Sequence, residues 1–192
     1  MANEATTLYM IKGSRKAVNS IYNTLVNMDV NMTSIPLWDL AKYFNIDYEA
    51  KKISVRGYIT WADYDKEKNI LSLYTETAWD ACTDFFNEIN HKFGDELSIS
   101  YRVCEIGNEI FYVHDEDNFF TEKFVVICGG NIFEDNDEEY KFYHSLKDII
   151  DEWCEVMDKE QGELTDEEMM NYINNYEYDD DSYYFIHNIS FE

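Results

Sequence analysis

The side chains that could do chemistry in this chain are four histidines, four cysteines and forty carboxylates, set against fifteen Lys and Arg. His91, His114, His144 and His187 stand far apart, and none lies in an HExxH, GxSxG or papain-like context that would pair it with a metal or a nucleophile. Cys82, Cys104, Cys128 and Cys154 are more than twenty residues apart with no CxxC spacing. They read as reduced, buried thiols rather than a zinc site or a disulfide framework. The run His114, Asp115, Glu116, Asp117 offers four ligand types in a row, but neighbours on a strand point to opposite faces, which argues against one shared ion. "DKEQGELTDEEM", starting at Asp158, misses the calcium-loop pattern, because Gly162 falls at its fifth position and Met169 at its twelfth. "CGGN" lacks the glycine spacing that cradles phosphates. The expectation is a non-enzymatic protein with no catalytic residues, no cofactor and no metal.

What remains is charge. The formal net charge is −25, of which −4 falls on residues 1–96 and −21 on residues 97–192. Such a field repels nucleic acid and anionic membrane and attracts cationic protein surfaces over roughly 8 Å at physiological salt. The densest part begins at Ser145. On a helix, Leu146, Ile149, Ile150, Trp153 and Met157 share one face, and Asp148, Asp151, Glu152, Glu155 and Asp158 form a stripe about 15 Å long on the other. The stripe is expected to run without compensating lysines. Its like-charge neighbours would each cost about 0.2–0.5 kcal/mol.

Further candidate acids are Glu134, Asp135, Asp137, Glu138 and Glu139 in a connection, and Asp179, Asp180 and Asp181 beside the aromatics Tyr176, Tyr178, Tyr183 and Tyr184. Thr165 with Glu168 reads instead as a capping box, with Asp166 and Glu167 complementing a helix dipole. The expected partner of the candidate acids is the basic surface of a nucleic-acid-binding protein, where carboxylates stand in for phosphates. The alternative is a module that binds another protein through an uncharged face, its acidity serving solubility alone.

These groups need a scaffold, and a 45% hydrophobic, 17% aromatic composition is ample to build one. "TTLYMIKG" alternates as a strand, and Ser14 caps a helix carrying Val18, Ile21, Leu25 and Val26 on one face. "LWDLAKYFNI" follows Pro36 as a short helix. "KISVRGYITW" and "NILSLYTETAW" form a hairpin across a polar turn. A helix carrying Phe85, Phe86 and Ile89 stops at Gly94, and "LSISYRVCEIG" returns to strand. The order strand, helix, strand, strand, helix, strand is the split βαβ pattern called ferredoxin-like.

From Gly57 to about Asp115 the chain also resembles the YubB-like ferredoxin-like domain, through Trp61, the triplet Thr77-Ala78-Trp79, the amphipathic helix and "FGDELSISYRVCEIG". That largely uncharacterised family occurs on plasmids and phages, so the resemblance implies a fold and a mobile-element setting, with no catalytic residues to carry over. The helix start departs from the family in lacking its prolines. Beyond it, "EIFYVHDED", "EKFVVICGG", "YKFYH" and "SYYFIHNISF" read as strands and the stretches after Ser145 and Thr165 as helices. The expected fold is α+β, with a ferredoxin-like core over 1–130 and an acidic extension over 131–192 packed on it. No uninterrupted apolar run reaches a membrane span and no signal-like N-terminus is visible, so a cytoplasmic setting is expected.

Overall fold

A computed structural model describes residues 3–31, 33–133, 140–178 and 181–192. In chain order the elements are β1 (Glu4–Gly13), α1 (Arg15–Met28), β2 (Ile35–Pro36), α2 (Leu37–Tyr43), α3 (Tyr48–Lys51), β3 (Gly57–Asp65), β4 (Ile70–Ala78), α4 (Thr83–Lys92) and β5 (Leu97–Glu105). They continue with β6 (Ile110–His114), β7 (Phe124–Gly129), β8 (Tyr140–Tyr143), α5 (Leu146–Met157), α6 (Asp166–Asn174), β9 (Tyr183–Asn188) and β10 (Ser190–Phe191). The class is mixed α+β, with a seven-stranded and a three-stranded sheet. Two compact units result, Met1–Phe120 with Phe191–Glu192, and Thr121–Ser190, so the second is inserted into the first.

The first unit holds the sheet β10-β6-β5-β1-β4-β3-β2, antiparallel from β2 through β6. In β1, Ala5, Thr7, Tyr9 and Ile11 are buried while the residues between them are partly exposed, the period-two pattern of a sheet covered on one side. α1 starts where the Ser14 hydroxyl accepts from the Ala17 N–H, and it lays Ala17, Val18, Ile21 and Leu25 over Tyr9, Ile11 and Leu73. Phe85, Phe86 and Ile89 of α4 complete that core, and the helix ends at Gly94, whose φ of +71° favours glycine.

Thr7 and Thr75 face each other across β1 and β4, fully buried, and neither hydroxyl has a hydrogen-bond partner among the described residues. An unsatisfied buried hydroxyl costs about 1–3 kcal/mol. Thr75→Val, which keeps the shape and removes the polar atom, is therefore expected to raise stability by about 1 kcal/mol. Chemical denaturation checks it, and a lowered midpoint would contradict the packing described.

In the second unit the sheet is β8-β7-β9, antiparallel throughout. α5 and α6 cover one face, packing Ile149, Ile150, Trp153, Met169 and Ile173 against Val126, Tyr184 and Ile186. Ser145 caps α5 through the Asp148 N–H, and Thr165 and Glu168 form the expected capping box of α6. β7 lies in the stretch assigned to the core by sequence, yet it is the central strand here because its partners, β8 and β9, lie downstream. The unit boundary therefore falls at 120/121 rather than 130/131. Cys82, Cys104 and Cys128 are buried thiols outside any disulfide, and Cys154 is half-buried.

Candidate functional site

The acids expected to act together divide sharply. Glu134, Asp135, Asp137, Glu138, Glu139, Asp179 and Asp180 lie outside the described residues. Asp181 is exposed in the turn before β9. Asp148, Asp151, Glu152, Glu155 and Asp158 do share the outer side of α5, because the apolar residues between them turn inward onto the sheet.

The expectation of a stripe without compensating lysines is corrected at two positions. Lys147 pairs with Asp151 one turn on, and Lys141 reaches across from β8 to Glu152 at 2.9 Å. Both ammonium groups are held above their ordinary range, Lys147 chiefly by the hydrogen bond to Asp151 and Lys141 chiefly by that to Glu152. The first pair stands at i,i+4 on the helix itself, and the second joins elements that only the fold brings together.

Self-repulsion along the stripe shrinks accordingly. The like-charge neighbours at i+3 and i+4 are 148/151, 148/152, 151/155, 152/155 and 155/158; the first four include an acid with its own lysine, leaving 155/158 at about 0.2–0.5 kcal/mol. Asp148 is tied to the N-cap, its carboxylate accepting from the Ser145 hydroxyl at 2.6 Å. Asp158 ends α5 in a left-handed conformation, φ +49°, which Asp tolerates better than most side chains. Asp148, Glu155 and Asp158 are exposed and have no basic partner among the described residues.

Charge is nonetheless concentrated in this unit. Residues 121–190 hold 20 Asp and Glu against 4 Lys and no Arg, a net of −16. Of the four lysines, Lys141 and Lys147 are spent on α5 and Lys159 lies over the Tyr176 ring at 5.1 Å.

The aromatic neighbours are also re-sorted. Tyr176 and Tyr178 pack around Trp153, whose indole N–H donates to the Tyr178 hydroxyl at 2.8 Å, and Tyr184 is buried. Tyr183 remains 38% exposed and stacks on Phe185, itself 44% exposed, two residues along β9. Period-two alternation in "YYFIHN" is the signal that would have singled out Phe185.

The sequence run from His114 to Asp117 separates into different tasks. His114 stacks on Tyr101, Asp115 accepts from the Phe120 and Asp117 N–H groups, and Asp117 binds Lys12 and Ser98. Burial works against the Asp115 anion, but these backbone donors outweigh it and hold its carboxyl below the ordinary range. Among the described residues no helix is long and apolar enough to cross a membrane. No protein-family model matches the chain, and no curated protein matches it either.

Proposed function

We propose that this is a non-enzymatic acidic interaction protein whose inserted unit occupies the basic, nucleic-acid-binding surface of another protein, as an anti-defence inhibitor from a phage or mobile element would. The observation that carries the reading is the concentration of −16 in residues 121–190, with Asp148, Glu155 and Asp158 exposed along α5 and free of lysines. Carboxylates so presented compete with phosphates for the same Lys and Arg. The stacked, exposed pair Tyr183 and Phe185 supplies the apolar contact that fixes position where charge alone would not. The first unit fits a ferredoxin-like split βαβ core: β1, β3, β4 and β5 stand in the order β5-β1-β4-β3, with α1 and α4 in the two crossovers. This reading agrees with the resemblance to the YubB-like domain and with the mobile-element setting it implies.

The test is capture of the partner from bacterial lysate on the immobilised chain, with elution by duplex DNA. Neutralising Asp148, Glu155 and Asp158 together to Asn, Gln and Asn should weaken the captured complex about tenfold or more and flatten its salt dependence. Neutralising Asp151 and Glu152, already matched by lysines, should change affinity less than about threefold. Unchanged affinity in the triple variant, with loss on Tyr183→Ala and Phe185→Ala, would replace this reading with recognition through an uncharged face.

A further inference from the structure

The triplet Thr77-Ala78-Trp79, conspicuous in the sequence, has no part in the acidic face, yet its first two residues line a cavity of about 430 Å³ in the first unit. Register fixes the layout of its polar groups. Glu4 of β1 stands opposite Ala78 of β4, and on the other side the Arg56 carbonyl accepts from the Ala78 N–H. Arg56 and Glu4 therefore flank Ala78 from backbones about 9–10 Å apart, with only a methyl group between them. Glu76, two residues earlier on the same face, stands opposite Tyr58, whose ring meets that of Trp38 edge-on at 5.1 Å and 76°. All of these line the cavity.

Two features are unexplained by folding. Glu4, Glu76 and Arg56 are exposed and close the same cavity with opposite charges, yet among the described residues none of them is in an ion pair. Trp79, next to Ala78 and outside the cavity lining, is 56% exposed and held at φ +72°, its backbone N–H donating to the Asn3 carbonyl. A bulky residue in that conformation is strained, and such strain concentrates at binding sites.

Charge restricts the ligand. A simple anion would satisfy Arg56 but meet two carboxylates and the field of a −25 chain. A simple cation would leave Arg56 opposed. A molecule with two cationic groups and one carboxylate complements all three side chains. The edge-on pair Trp38 and Tyr58 selects a flat cation, which can stack on one ring while its rim faces the other, in preference to a compact ammonium.

We propose that this cavity binds a free cationic α-amino acid of the arginine type, its guanidinium held by Glu76 against Trp38 and Tyr58, its α-ammonium by Glu4 and its carboxylate by Arg56. The site is independent of the acidic face of the inserted unit.

Calorimetric titration of the full chain with L-arginine, agmatine and L-citrulline at low salt tests it. Arginine should bind saturably, and agmatine, without the carboxylate, and citrulline, without the guanidinium charge, should each bind about tenfold more weakly or worse. Arg56→Gln should lower arginine affinity about tenfold while leaving agmatine binding unchanged or tighter. Glu76→Gln should weaken both. Thermal melts of each variant accompany the titrations, and a variant that melts early is replaced by the equally neutral Arg56→Met or Glu76→Met, with the same outcomes expected. Absence of saturable arginine binding up to about 10 mM, or Arg56→Gln acting equally on arginine and agmatine, would overturn the assignment. A peptide ending in arginine that binds more tightly than the free amino acid would overturn the free-ligand form of it.

Discussion

Replacing Trp153 with alanine is expected to cost the inserted unit about 3–5 kcal/mol. The indole is fully buried between α5 and the sheet, and the rings of Tyr172 and Tyr176 meet it edge-on. Truncation removes that packing and leaves the half-buried Tyr178 hydroxyl without the donor it accepts from. A unit of about 70 residues has only about 4–10 kcal/mol of stability in total, so the loss approaches the whole. Near-ultraviolet circular dichroism and thermal melting should show its tertiary signal collapsing while the first unit still melts cooperatively. Trp153→Phe, which forfeits mainly the hydrogen bond, should cost about 1–2 kcal/mol. A Trp153→Ala variant within about 1 kcal/mol of the parent would mean that this core is held by something else.

Gly57→Ala should cost about 3 kcal/mol in the first unit. A methyl group there would lie 2.4 Å from the Glu76 carbonyl oxygen and 2.8 Å from the Thr77 Cα. Both atoms are backbone of the neighbouring strand, so no side-chain rotation relieves the clash and β3 must lift away from β4. That same junction carries the Ala78 N–H to Arg56 carbonyl bond and the floor of the cavity. Binding of L-arginine should therefore fall with stability, while capture through the acidic face should not. Gly94→Ala is the control: its methyl would meet nothing within 4 Å, so only the left-handed backbone is penalised, at about 1 kcal/mol. Denaturation midpoints rank the two, and the reverse order would refute the close approach at Gly57.

Local chemistry was legible in the sequence and long-range pairing was not. Ser14, Ser145 and Thr165 announce the helices they cap, and alternation announces β1, β4 and β5, because caps and periodicity act within a few residues. Ile35–Pro36, two residues long, offers no period to detect. "EKFVVICGG" signals a strand but not which sheet it joins, and its pairing with Tyr183–Asn188 moves the unit boundary by ten residues. The carboxylate stripe was placed on the correct side of α5, since apolar spacing orients a helix. Its neutralisation by Lys141 depends on a strand packed beside that helix. Left-handed Trp79 had no signal either, because position alone imposes that backbone on a residue that disfavours it.

Each unit encloses thiols of its own: Cys82, which burial holds above its ordinary value, and Cys104 in the first, and Cys128 in the second. An alkylating reagent thus finds clocks in both units of one polypeptide. Half-buried Cys154 marks reagent contact, and the separate modification rates of Cys128 and of the Cys82 and Cys104 pair time the breathing of the insertion and of its host without any engineered label.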